Sequence, residues 1–283
     1  MQIGFIGAGK VGTALACLLK RAGYQITGIY SRSSAAEAAE FADIKEYADC
    51  SSLLAASDVV FLTVSDGAIA NVAAEIAAYV RPGQCFIHCS GALTADVMQP
   101  CRDKGGLLYS LHPLQSFADR QNAVLHLPGS FFSGQGDAEV KPLAMAIAAA
   151  LQGTFAEISA EGKALYHAGA CVASNYLVTL IDLAQSFYAE IGIPPEKALQ
   201  ALQPLLAGTL QNISRLGTVQ ALTGPIARGD AATLAVHLQQ MKNPLSRNLY
   251  CALGRSTVEL AAKKGSLSDG QIDELKKQLR SEE

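Results

Sequence analysis

"QIGFIGAGKVGTALACLLKRAG" (2–23) decides the fold of this chain. A short apolar run turns on a glycine, then apolar residues recur at helical spacing until another glycine. Within it, Gly7-Ala8-Gly9-Lys10-Val11-Gly12 is a G-x-G-x-x-G turn that follows a strand and opens a helix. Its first glycine permits the tight turn, its second lets backbone approach a pyrophosphate, and its third lets helix pack on strand. Phosphates then sit at the positive end of the helix. The competing reading is a glycine turn with a structural role alone.

Working outward, "YQITGIY" (24–30), "SDVVFLTVSD" (57–66), "QCFIHCSG" (84–91) and "GGLLYSLHPL" (105–114) read as strands. "SSAAEAAEFA" (33–42) and "AIANVAAEIAAYV" (68–80) read as the helices between them. Alternating strands and helices predict an α/β fold, Rossmann-like and doubly wound, with a mostly parallel sheet. A helix over 140–151 and an edge strand "TFAEI" (154–158) close this part. From 161 onward the pattern is helical. One long helix is expected from 161 to 192, roughly 45 Å at the usual rise. Shorter ones are expected over 195–216, 230–241, 245–264 and 268–281. The expected domains are therefore 1–160, dinucleotide-binding, and 161–283, an all-α domain for substrate and dimerisation.

Composition excludes several classes. The 283 residues are 50% hydrophobic and 17% charged with a net charge of -3, so no basic stripe invites nucleic acid. The seven cysteines are scattered through apolar runs and do not form a disulfide framework. Cys85, His88 and Cys89 are the only cluster, and their spacing within a strand throws neighbours to opposite faces, so no metal is expected. The N-terminal run lacks a basic region and is broken by glycines, so it does not read as a leader. No run of about 18 apolar residues suggests a membrane span. A cytoplasmic chain without membrane contact is the expectation.

In a doubly wound sheet, ligands bind beyond the carboxyl ends of the strands. The end of the second strand chooses the dinucleotide. An acid there would bind the ribose hydroxyls of NAD, but the chain offers Ser31, Arg32, Ser33 and Ser34. A guanidinium pairs a 2'-phosphate, which favours NADP(H). Ser65, Ser90 and Gly91 end later strands and join the candidate cofactor site; Ser90 is also a candidate for binding substrate. His112-Pro113 ends another, and there a substrate role and a turn role are evenly matched.

"ALYHAGACVASNY" (164–176) carries the candidate chemistry. With His167 at zero on a helical wheel, Lys163 falls at about -40°, Ser174 at about -20°, Cys171 at about +40° and Asn175 at about +80°. A core helix does not gather polar groups on one face without a use for them, because each needs a partner when buried.

A G-x-G-x-x-G domain followed by such a helix resembles the 6-phosphogluconate dehydrogenase-like superfamily, which includes β-hydroxyacid dehydrogenases and ketopantoate reductases. Two registers are open. Either Lys163 matches the lysine of ketopantoate reductases and His167 replaces an amide, or His167 takes the lysine's place and Asn175 that of the far amide. The second is preferred because it keeps the asparagine; Cys171 departs from the pattern in that register. "HCSGAL" (88–93), "SLHPLQSF" (110–117), "LYHAGACVASNYL" (165–177) and "LTGPIARGD" (222–230) together resemble a bacterial family. That family pairs a Rossmann-like domain with a helical C-terminal domain of unknown function, and some members are linked to ketopantoate reductase activity. Prephenate dehydrogenases have a similar His-Pro.

The resemblance implies an NADP(H)-dependent oxidoreductase acting on a small 2-oxo acid, ketopantoate first. Related imines, β-hydroxyacids and a non-catalytic NADP-binding regulatory module are the alternatives. His167 or Lys163 would donate the proton and Asn175 would orient the substrate. Ser90, His112, Ser174 and Arg228 would hold the substrate's carboxylate or carbonyl. The resemblance also implies a homodimer built through the helical domain.

Overall fold

In a computed structural model, which describes residues 1–280, the chain divides into two compact units, Met1–Tyr176 and Leu177–Glu283. The division falls later than residue 160, because the first helix of the helical stretch buries Lys163 against strands of the sheet.

The first unit holds a seven-stranded sheet. Its strands are β1 (Gln2–Ile6), β2 (Gln25–Tyr30), β3 (Val59–Leu62), β4 (Cys85–His88), β5 (Leu107–Leu114), β6 (Phe131–Gly136) and β7 (Thr154–Glu157). Their order is β2-β1-β3-β4-β5-β6-β7, parallel except where β6 runs antiparallel to β5. The helices are α1 (Lys10–Arg21), α2 (Ala36–Ala42), α3 (Cys50–Ala55), α4 (Asp66–Ile76), α5 (Gln99–Arg102), α6 (Arg120–His126), α7 (Lys141–Ala150) and α8 (Lys163–Ala173). Strand order reverses between β1 and β3, and the crevice at that switch lies beside the glycine turn.

The central strands are apolar on both faces, as parallel strands covered by helices must be. In β3, Val59 and Phe61 enter one core with Leu15 and Leu19 of α1, while Val60 and Leu62 enter the other with Ile69 and Ile76 of α4. Strand β6 escapes the sequence reading because "FFSGQG" carries two glycines, which are poor strand formers. Both are required by close approach. A Cβ on Gly134 would lie 2.5 Å from the Phe155 ring and 2.6 Å from the Tyr109 hydroxyl, and Gly136 (φ +148) rests on Leu108 and Tyr109.

The expected single helix over 161–192 is two. α8 ends at Ala173, Ser174 widens the turn at φ -117 and ψ -69 while its amide still donates to the Ala170 carbonyl at 3.0 Å, and α9 (Asn175–Glu190) follows at once. Serine and asparagine side chains compete with the helical ladder, so "SN" is a natural break. Residues 163–190 are nonetheless long and apolar enough to cross a bilayer by length and composition, a stretch the sequence reading passed over.

The second unit is helical, with α10 (Pro195–Ala221), α11 (Ala231–Gln240), α12 (Pro244–Lys264) and α13 (Asp269–Gln278). Gly217 (φ 73, ψ 165) breaks α10 near its end. The core of this unit joins Leu234, Leu238, Cys251, Val258, Leu275 and Leu279. Capping is local and strong: Asp230 accepts from the backbone of Thr233, and Ser268 with Gln271 forms a capping box.

Candidate functional site

The glycine turn has three different jobs, and the structure separates them. Gly7 holds φ +112 against the Thr63 backbone, a conformation that favours glycine. A Cβ on Gly12 would strike the Thr63 hydroxyl and lie 2.7 Å from the Gly7 carbonyl, so this glycine serves packing. At Gly9 a Cβ would meet nothing nearer than the Thr63 carbonyl at 3.7 Å, which leaves its open side for a ligand. Thr63 locks the turn by donating its hydroxyl to the Gly7 carbonyl at 2.8 Å.

A cavity of about 590 Å³ opens over this turn and the end of β2. That volume is within the range of about 300–1,000 Å³ usual for small-molecule sites. Gly7, Ala8, Gly9, Ser65 and the whole Ser31–Ser34 stretch line it, as the sequence implied. Lys10, Val11, Gly12, Ser90 and Gly91 do not. The Lys10 amine is turned away to the Phe117 carbonyl at 3.1 Å, and Val11 packs against the core. Residues unread in the sequence complete the wall: Asn71, Glu75 and Arg120. They stand far from the motif in sequence, and only the packing of α4 and α6 brings them there.

Farther along the same strand ends lies a cluster of polar side chains. Ser90 is buried, and its hydroxyl is used up: it donates to the Asp66 carboxylate at 2.6 Å and accepts from the backbone of Ala92 and Leu93. Ser90 therefore ties the start of α4 to the end of β4 rather than presenting a free hydroxyl to substrate. His88 is a satisfied core histidine. Its Nδ1 accepts from the Ser90 amide at 3.1 Å, its Nε2 pairs with the Thr94 carbonyl at 3.1 Å, and burial pulls it down to about 4. Among the described residues no three His, Cys, Asp or Glu side chains gather as metal ligands.

Lys163 is 1% exposed. Its ammonium donates to the Ser110 hydroxyl at 2.7 Å and to the Ser90 carbonyl at 3.3 Å. Burial pulls it down to about 8, opposed by the Asp66 charge. Ser90 lies just past the end of β4 and Ser110 pairs with His88, the last residue of that strand, so the amine sits at the strand ends.

Two imidazoles lie at the same strand ends. His112 rests its Nδ1 3.1 Å from the Tyr166 hydroxyl. Burial, then the nearby Lys163 charge, pulls it down to about 4, so it is neutral at pH 7. His167 lies at right angles to it, ring centres 6.0 Å apart. The His167 Nε2 is 3.7 Å from the Cys171 sulfur, while its Nδ1 is buried with no hydrogen-bond partner. Both rings converge on Gly91. A Cβ there would sit 2.6 Å from His167 Nδ1 and 2.9 Å from His112 Nε2. Gly91 is thus needed for these rings, and it lies outside the lining of the cavity over the glycine turn. Tyr166 and Ser110 are partners that sequence reasoning missed, although both lie inside the motifs "LYHAGACVASNYL" and "SLHPLQSF".

Of the remaining residues of that stripe, Ser174 and Asn175 are exposed at the junction of α8 and α9. Arg228 belongs to the second unit, in a single turn (Ile226–Arg228) closed by Gly229 in the left-handed region, and it is exposed beside Asp230.

Residues 1–113 match the model of the Rossmann-like domain, and residues 130–257 match a domain of unknown function, DUF2520. No curated protein matches the chain significantly. Among solved structures, a candidate NADP oxidoreductase from Bacteroides fragilis is 24% identical, with 91% of this chain and 98% of that one aligned at a TM-score of 0.76. A protein of Thermotoga maritima is 27% identical over 93% of this chain and 99% of its own, at a TM-score of 0.73. A reductive aminase from Aspergillus terreus, solved with NADPH and ethyl-5-oxohexanoate, is 16% identical over 98% and 92%, at a TM-score of 0.60. In fold, the chain is a Rossmann-like domain on a seven-stranded, mostly parallel sheet, followed by a helical C-terminal region.

Proposed function

We propose that this chain is an NADP(H)-dependent oxidoreductase that reduces a small 2-oxo acid, with ketopantoate as the first candidate. The observation that carries the reading is the convergence of His112 Nε2 and His167 Nδ1 on Gly91, along the same strand ends as the glycine turn. The turn fits a pyrophosphate, because the open side of Gly9 is where a Cβ would intrude. Ser31, Arg32, Ser33 and Ser34 line the cavity at the end of β2 and suit a 2'-phosphate. Bound there, NADPH supplies the hydride.

The chain's own residues supply the proton. His167 is the general acid, donating from the buried Nδ1 that lacks a protein partner. In the imidazolium form, Nε2–H points at the Cys171 sulfur and Nδ1–H at the substrate oxygen, so giving up the Nδ1 proton returns the neutral ring. His112, being neutral, offers a single hydrogen bond to the substrate. The Lys163 ammonium at the strand ends adds positive charge there, which suits an anionic substrate. The likeness to a reductive aminase makes an imine the second substrate class. A homodimer goes with this reading, since Leu165 (80% exposed) and Val178 (68%) leave apolar surface that a second copy would cover.

The test is a panel of 2-oxo acids and imines assayed by NADPH oxidation. His167→Ala should lower turnover about 100-fold or more while NADPH affinity stays within about twofold. Turnover unchanged in that variant removes His167 as the acid. NADPH binding with no oxidation across the panel makes the chain a binding module instead.

A further inference from the structure

The segment after β5 folds back over the glycine turn. Lys10 Nζ holds the Phe117 carbonyl at 3.1 Å, and α6 packs Ala123 into the same core as Leu15 of α1. The first residue of α6, Arg120, reaches the turn itself. Its Nη2 donates to the Ala8 carbonyl at 3.4 Å and its Nη1 to Glu37 at 3.0 Å. Its side chain is 33% exposed and lines the cavity shared with Gly7, Gly9 and Arg32.

We propose that Arg120 is a second phosphate-binding arginine, gripping the pyrophosphate, while Arg32 takes the ribose phosphate. The assignment follows from position. Ala8 is in the middle of the turn that wraps a pyrophosphate, whereas Arg32 stands at the end of β2. A guanidinium has five donors, and the two protein bonds leave others for phosphate oxygens. The protein bonds also fix its position in advance, which lowers the cost of ordering it on binding. Glu37 is 86% exposed, so its ion pair is weak and yields readily to a more highly charged partner. The pyrophosphate is common to both dinucleotides and the 2'-phosphate is not, so the two arginines are separable by experiment.

This inference rests on the dinucleotide reading above. The test is titration of the full chain with NADPH and, separately, with NADH, comparing wild type with Arg120→Ala, Arg120→Lys, Arg32→Ala and Glu37→Gln. Arg120→Ala should weaken both dinucleotides by a similar factor, about tenfold or more. Arg120→Lys should fall between it and wild type, and serves alone if the alanine variant does not fold. Arg32→Ala should weaken NADPH only. Glu37→Gln should leave both within about twofold, since the arginine keeps its charge. Unchanged binding in both Arg120 variants overturns the proposal. So does a loss confined to NADPH, or a Glu37→Gln loss equal to that of Arg120→Ala, which makes the ion pair a scaffold. Wild type that binds neither dinucleotide overturns the cofactor reading itself.

Discussion

Replacing Lys163 with methionine should change how the stability of this protein responds to pH. The lysine is 1% exposed, and burial lowers its ammonium from 10.5 to about 8. Below pH 8 the amine is protonated both folded and unfolded, and the fold bears the full cost of burying the charge. Between about 8 and 10.5 the folded chain has released the proton and the unfolded chain still holds it, so stability rises with pH. Above that interval the gain is complete. The span from 10.5 to about 8 corresponds to about 3 kcal/mol. Lys163→Met removes this dependence and leaves the Ser110 hydroxyl without its donor, while the Ser90 carbonyl keeps the Ser110 hydroxyl, a loss of about 1–2 kcal/mol that is nearly independent of pH. The assay is urea unfolding of both proteins, followed by circular dichroism from pH 7 to 10.5. Tyrosines and other groups titrate alike in the two and cancel in the difference. Wild type should gain about 3 kcal/mol on the variant across that range. A difference that stays flat with pH would refute the argument, and with it the burial of a charged amine at the strand ends.

Gly91→Ala should be a lesion of turnover rather than of cofactor binding. Its Cβ would start 2.6 Å from His167 Nδ1, where ordinary contact begins near 3.4 Å, so the ring must move by about 1 Å. Turnover should fall about 100-fold, with NADPH affinity nearly unchanged and a stability loss of about 1–3 kcal/mol; activity within threefold of wild type would disprove the convergence. Gly9→Ala and Gly12→Ala should split apart when affinity and melting temperature are both measured. At Gly9 the side chain meets no close protein atom, so stability holds and dinucleotide affinity drops. At Gly12 it meets Thr63 and the Gly7 backbone, so stability drops as well. Equal melting temperatures in the two variants would contradict the separation of roles.

Much of the fold was legible because its signals are local. The apolar runs of β1, β3 and β4 and the glycines of the turn act within a few residues, and the structure places them where periodicity did. Strand β6 was hidden because the glycines that make it possible, Gly134 and Gly136, serve neighbours on β5 and β7 rather than their own strand. The surroundings of the stripe on residues 164–176 were hidden for a related reason. Helical periodicity says which residues share a face and not what that face meets. Of its polar groups, His167 lies beside Gly91, Lys163 is bonded to Ser90 and Ser110, and Asn175 is exposed at the start of α9.

By itself, the sequence determined a dinucleotide-type turn at the head of a doubly wound sheet and a helical C-terminal half, because turn chemistry and hydrophobic periodicity are properties of adjacent residues. Tertiary structure alone decided which polar groups are available. Ser90 spends its hydroxyl on Asp66 and two backbone amides, Arg120 arrives at Ala8 from far along the chain, and His167 Nδ1 is left buried without a partner. Burial and hydrogen-bond satisfaction belong to the packed neighbourhood of an atom, and no spacing along the chain encodes them.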